Sequence, residues 1–286
     1  MTWTQLQAHA PVTMPGPAEE ATVAATLRAA VVQYEALTPG GGGVAVEANV
    51  VAHVVLVEQA HALGARLVLF PELSLTGYDL GAFEGLGASG QPTPWLSDGD
   101  TRLKPLQEAC VRTKTTTIIG AAWRESGRTP RLASLVIDPD GSVTPVFKTH
   151  LHGAERQLFV PGDGPEAVDV DGWRVAIAVC ADAAHPTHAG AAAEAGADVY
   201  AVSALYSRGE ELRLGLHLGA RSMDHRMYGL LANLGGATPL GASCGFSGAW
   251  GPDGAALAQA AGTGTEVVMV TLDRSRLDGY RSGPRA

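Results

Sequence analysis

WRVAIAVC (173–180) is an unbroken apolar run of strand length that stops on a cysteine, the form expected of a strand buried on both faces. RLVLFPE (66–72) has the same build and ends, after a proline, on a glutamate. Upstream of it, LRAAVVQYE (27–35) reads as another buried strand, TPGGGG (38–43) as a flexible connection and 44–64 as a helix closed by Gly64. Residues 103–113 have helical spacing, and TTTIIGAAW (115–123) is rich in β-branched residues and reads as a strand. Beyond 173–180, helices over 186–196 and about 210–226 alternate with strands in 198–204, 227–233, 245–250 and 266–272. Pro-Asp-Gly between apolar runs, in 135–148 and again in 248–259, predicts two tight hairpins, with proline fixing φ and glycine accepting positive φ. Strands alternating with helices and interrupted by hairpins predict one α/β domain with mixed sheets over residues 26–286. The proline-bearing segment 1–25 reads as an N-terminal extension outside that domain, and 275–286 as a short C-terminal tail.

Bulk properties narrow the function classes. Of the 286 residues 46% are hydrophobic and 17% charged, enough apolar material for a large core. A net charge of −9 argues against nucleic acid or an anionic membrane surface as partner, because both select basic patches. No run of about 18 apolar residues predicts a membrane span, and the N-terminus lacks the basic start and apolar stretch of a secretory signal. Cysteines at 110, 180 and 244 are odd in number and form no CxxC pair, which points to a reducing, cytoplasmic setting without disulfides or structural zinc. No His/Cys/Asp cluster has metal-ligand spacing. The glycine runs TPGGGG and GLGASG (85–90) lack the Lys-Ser/Thr ending and strand context of a phosphate loop.

Three apolar runs deliver a reactive residue at their ends: Glu72 after LVLFP, Lys148 after TPVF and Cys180 after RVAIAV. Taken singly, each has a plain structural reading, as a loop-capping acid, a solvated lysine or a small core thiol. Together they meet the needs of amide hydrolysis. A thiol is a weak nucleophile until deprotonated; Glu72 can take its proton and later give it to the departing nitrogen. Lys148 favours the thiolate and, with the backbone N–H of Ala181, offers positive charge to a tetrahedral oxyanion.

FPELSLTGY (70–78), FKTHL (147–151) with Glu155 and FVPGDG (159–164) beyond it, and VAIAVCAD (175–182) together resemble the three signatures of the nitrilase superfamily, in its order and at about its spacing. GADVYAVSALY (196–206), ARSMDHRMYGLLANLGG (220–236) and GFSGAWGPDG (245–254) extend the likeness over roughly 27–275. The resemblance implies a four-layer αββα sandwich of two mixed sheets between helical layers, pairing into homodimers or larger homo-oligomers. It implies Glu72 as general base and acid, Lys148 as oxyanion cation, Cys180 as nucleophile and Glu155 as the residue orienting substrate and Lys148. It implies no cofactor and no metal. By the same analogy Tyr78, Ala204, Leu205 and Tyr206 are candidates for the pocket wall, with His185 near it.

Cys-Ala-Asp (180–182) fits the amidase and carbamoylase branches better than the Cys-Trp-Glu of nitrilases. AAHPTH (183–188) departs from the family's usual run, which weakens transfer of any member's substrate preference. The expectation is therefore an amidase acting on a small aliphatic or amino-acid-derived amide. An N-carbamoyl hydrolase is the runner-up, followed by a nitrilase and by an inactive scaffold. A Cys180/His185 dyad is the competing mechanism, but it leaves the Glu and Lys motifs unexplained. His150, His53 and His61 are read as supporting, packing or solvated residues, and Cys110 and Cys244 as ordinary thiols.

Overall fold

A computed structural model describes residues 24–38, 45–84 and 93–283. Residues 1–23 of the 1–25 extension, most of TPGGGG and all of GLGASG lie outside the described residues. In chain order the first half runs β1 (Thr26–Gln33), α1 (Val46–Ala62), β2 (Leu67–Leu69), α2 (Gly81–Glu84), α3 (Lys104–Thr113), β3 (Thr116–Trp123), β4 (Arg131–Ile137), β5 (Val143–Phe147) and α4 (Glu155–Leu158). The second half follows with β6 (Glu166–Val170), β7 (Trp173–Val179), α5 (Ala181–Ala184), α6 (Pro186–Glu194), β8 (Val199–Ala204), α7 (Glu211–His225), β9 (Tyr228–Asn233), the small pair β10 (Ala237–Thr238) and β11 (Gly241–Ala242), β12 (Gly248–Trp250), β13 (Ala256–Gln259), β14 (Glu266–Asp273) and α8 (Arg274–Ser282).

Two six-stranded sheets result, in the orders β14-β1-β2-β3-β4-β5 and β13-β12-β9-β8-β7-β6. Each has three parallel strands at its centre, β1-β2-β3 and β7-β8-β9, flanked by antiparallel strands. The sheets pack face to face, and alternation along β1 shows how. Leu27, Ala29 and Val31 enter the core between the sheets with Leu67, Leu69, Trp173, Val175, Ile177 and Leu230. Ala30 and Val32 face the other way, into a core with α1 and α3. On the far side, Ala176, Ala178, Tyr200 and Val202 pack on α6 and α7 through Ala189, Leu214 and Leu218. Strands with an apolar layer on each face read as continuous hydrophobic runs, and the layers amount to the expected αββα sandwich.

Both Pro-Asp-Gly segments form antiparallel hairpins, β4–β5 and β12–β13. Besides the short α2, α4, α5 and the β10–β11 pair, two longer elements went unread. β6 pairs antiparallel with β7 through Asp171 and Gly172, both at positive φ. The tail forms α8, which packs on its own chain: Arg274 lies over the Trp173 ring at 3.9 Å, and Arg274 and Arg281 both pair with Asp198, at 2.8 and 2.7 Å.

Candidate active site

Glu72 and Lys148 follow strands of one sheet and Cys180 a strand of the other, and the three converge beneath and beside one cavity, which Cys180 lines. Glu72 leaves β2 on a tight turn in which Leu73 has φ of 50°. That turn lies directly on β3 because residue 120 is glycine; a Cβ there would run into the backbone of Pro71, Glu72 and Leu73. Lys148 follows β5, and its carbonyl accepts the N–H of Gly162, so FVPGDG is laid against the lysine segment. Cys180 ends β7 at φ 47° and ψ −97°. Such a conformation is costly for a non-glycine residue and is held only by its surroundings, here a hydrogen bond from Cys180 N to Ser203 O at 2.8 Å. Nearby, Ser203 Oγ donates to Phe70 O at 2.8 Å, joining the ends of β8 and β2 across the two sheets.

At the floor, Lys148 Nζ donates to Glu72 Oε1 at 2.6 Å and to Glu155 Oε1 at 2.7 Å, and all three side chains are buried. Tyr78 OH also donates to Glu155 Oε1, and His152 N donates to its Oε2 at 2.8 Å. Glu72 Oε2 has no hydrogen-bond partner among the described residues. Burial, opposed by the Lys148 charge and reinforced by that of Glu155, raises the Glu72 carboxyl from 4.5 to about 7. Burial alone would lower the ammonium of Lys148, but Glu72, Cys180 and Glu155 together hold it above the ordinary lysine range. The Cys180 thiol is pushed up, first by burial and then by the Glu72 charge, with Lys148 pulling the other way. Its Sγ lies 3.6 Å from Leu205 O.

The cavity above this floor measures about 120 Å³. Its walls include Tyr78, Glu155, Cys180, Ala181, Leu205 and Tyr206, all named from sequence. Four expected residues are absent from them: Glu72 and Lys148, fully buried beneath Glu155, and Ala204 and His185. Ala204 is fully buried in the core under α6 and α7, because alternation along β8 turns it away from the cavity. His185 is exposed, stacks on His150 at 3.8 Å and bonds through Nδ1 to Ala181 O at 2.8 Å. That leaves it facing neither the thiol nor the cavity.

Sequence reasoning missed the rim. Glu210, Arg213 and His217 line the cavity from the start of α7, with Leu240 from the β10–β11 turn opposite. Positions 210, 213 and 217 share one helix face, the only advance signal. Glu210 accepts from Ser207 N at 2.9 Å and pairs with Arg213 at 2.8 Å, while His217 Nδ1 meets Tyr206 OH at 2.9 Å. Away from the site, Cys110 and Cys244 are buried, and His53 is packed on Phe70 with its pKa lowered to about 3 by burial. No group of His, Cys, Asp and Glu among the described residues has a metal-holding arrangement, and no described helix is long and apolar enough to cross a membrane.

The carbon-nitrogen hydrolase family description matches residues 28–282. A protein described as "Hydrolase in pqqF 5'region" from Pseudomonas protegens is 29% identical over 226 residues, 77% of this chain and 76% of that protein. An (R)-stereoselective amidase from Pseudomonas sp. is 30% identical over 173 residues, 60% of each chain. Among solved structures, a double mutant of the amidase from Nesterenkonia sp. AN1 in complex with acrylamide superposes with a TM-score of 0.77. It covers 91% of this chain and 95% of its own at 22% identity, a likeness of fold.

Proposed function

The chain belongs to the carbon–nitrogen hydrolase family, and from that premise we propose that it is a cysteine-dependent amidase for a small aliphatic or amino-acid-derived amide. The observation that carries this reading is the buried Lys148 ammonium bonded to Glu72 and Glu155 directly beneath a cavity that Glu155 and Cys180 line. In the resting site burial keeps the thiol protonated, while Glu72, at about 7, titrates where a general base for neutral pH should. Proton transfer then accompanies attack rather than preceding it.

Cys180 Sγ bonds to the carbonyl carbon as its proton passes to Glu72, whose Oε2 has a free lone pair. The carbonyl oxygen takes up the π electrons and faces the Lys148 ammonium and the Ala181 N–H. Ala181 opens a helix, so its N–H has no intrahelical acceptor. Collapse breaks the C–N bond, Glu72 returns the proton to nitrogen, and ammonia leaves a thioester on Cys180. Water then gives a proton to Glu72 and attacks the thioester, and the acid departs as Cys180 recovers its proton. Glu155, tied to Lys148, Tyr78 and the His152 N–H, holds the ammonium in place.

A cavity of about 120 Å³ suits a short acyl group. Arg213 and His217 at its rim favour a second reading, in which they meet the carboxylate of an N-carbamoyl amino acid and the products are carbon dioxide, ammonia and the amine. Ammonia release from a panel of small amides, carbamoyl amino acids and nitriles separates these readings. Release from amides supports the first, and release from carbamoyl compounds alone replaces it with the second. A panel-wide silence with an unreactive Cys180 favours an inactive scaffold. The proposal includes a homo-oligomer in the cytoplasm; α7 turns Leu212, Leu216 and Met223 outward, an apolar stripe for a second copy to cover. Light scattering that returns a monomer mass removes that part.

A further inference from the structure

Asp182 follows Cys180 by two residues, is 1% exposed and does not line the cavity. Four donors converge on its carboxylate. Oδ1 accepts from His150 N at 2.7 Å and His150 Nδ1 at 2.8 Å. Oδ2 accepts from Val179 N at 3.0 Å and, at a longer 3.4 Å, from Thr149 N. Val179 immediately precedes Cys180, and Thr149 and His150 immediately follow Lys148. β5 and β7 belong to different sheets and share no ladder, so this one side chain joins the two strand ends where each delivers its functional group.

A second tie runs behind the first. The His150 ring lies flat on His185, with centroids 3.8 Å apart and planes at 10°. His185 in turn bonds to the carbonyl of Ala181, the residue whose N–H faces the proposed oxyanion. From α6, His188 Nε2 stands 3.8 Å from Asp182 Oδ2 and is anchored through Nδ1 to Tyr200 OH at 2.9 Å.

We propose that Asp182, backed by His150 and His185, is a positioning residue that sets the placement of Lys148 relative to the Cys180–Ala181 turn. Its chemistry is specific. An ionised carboxylate is acceptor-only and offers about four lone-pair sites, matching the four donors. Asparagine has the same shape but would turn an NH₂ group against N–H donors, so one of the two strand ends loses its anchor. Tethering two catalytic groups from separate sheets matters because a shift of about 1 Å in such a site can cost on the order of 10²-fold in rate.

The inference rests on the reading of Cys180 as nucleophile, and the test separates the two. The rate of alkylation at Cys180 by iodoacetamide, read by peptide mass, is compared with kcat and KM on the best amide. The proteins are wild type, Asp182→Asn, His150→Ala and His150→Asn. Asp182→Asn is expected to lose about 10²-fold in kcat and to slow alkylation of Cys180, with KM within about threefold. His150→Ala should lose less, about tenfold in kcat, and His150→Asn should recover most of that loss because its amide NH₂ can stand where Nδ1–H stood. Wild-type kcat and alkylation rate in Asp182→Asn would overturn the proposal. So would His150→Asn as impaired as His150→Ala, and this pair decides the matter alone if Asp182→Asn does not fold. If wild-type Cys180 is not alkylated ahead of Cys110 and Cys244, the nucleophile reading falls first and the positioning role with it.

Discussion

The floor and the rim of the cavity are built on opposite principles. At the floor, Lys148 is enclosed with two carboxylates at 2.6 and 2.7 Å and none of the three side chains reaches solvent. At the rim, the Glu210–Arg213 pair has side chains 33% and 55% exposed, and Leu240 is 59% exposed. Removing one partner of a buried ion pair typically costs about 3–5 kcal/mol because a charge is left stranded, whereas an exposed pair is worth about 0–1 kcal/mol. The same residue types therefore sit in opposite settings around one cavity. The floor fixes one charge arrangement for chemistry, and the rim can change at small cost, which suits it to discriminating among substrates.

The sharpest way to break this contrast is to remove the central cation. Lys148→Met strands Glu72 and Glu155 together, so activity should fall by about 10³-fold or more and the thermal midpoint should drop clearly. A near-native melting curve would show that the floor is not electrostatically tight. Next in size is Gly120→Ala. Its Cβ meets the backbone that carries Glu72, so kcat is expected to fall by about 10²-fold although residue 120 touches no substrate. Unchanged turnover would mean that the Glu72 turn is free to move.

The floor should also show its burial in pH dependence. Since Glu72 is raised from 4.5 to about 7 and, as the proposed base, can take a proton only when ionised, kcat/KM should rise with pH through about 7. A plateau already reached at pH 5 would contradict a desolvated Glu72. The stability term has the opposite sign. A folded-state pKa above the unfolded one stabilises fully below about 4.5, and that contribution is lost as pH climbs through about 7. The smallest effects belong to the rim. Arg213→Ala and Leu240→Ala should each move KM by less than about tenfold and leave kcat for the smallest amides nearly unchanged. Equal losses in kcat and kcat/KM would place these residues in the chemistry instead.

The same contrast explains what could be read from the chain. Glu72, Lys148 and Cys180 stood out because each is a polar residue at the end of an apolar run, and the place of each strand in its sheet carries that end to the site. Glu210, Arg213 and His217 carry the pattern of a solvated helix face, and nothing local distinguishes a face that borders a cavity from one that borders water. His185 was drawn toward the pocket by its nearness to Cys180 in sequence. In the fold its hydrogen bond to Ala181 O and its stack on His150 hold it outside. Ala204 failed for a simpler reason: on β8 neighbouring residues face opposite ways, so Leu205 and Tyr206 beyond the strand reach the cavity while Ala204 packs under the helices. β6 was missed because EAVDV is short and buries only Val170, although the Asp-Gly after it is a turn signal.

The most direct measurement of the central claim is ammonia release from small amides by wild type and by Cys180→Ala, both shown to be folded by their melting curves. The account predicts release by wild type and none above background in the variant, since the floor without its thiol has no nucleophile to form the thioester. Undiminished release by Cys180→Ala would contradict it.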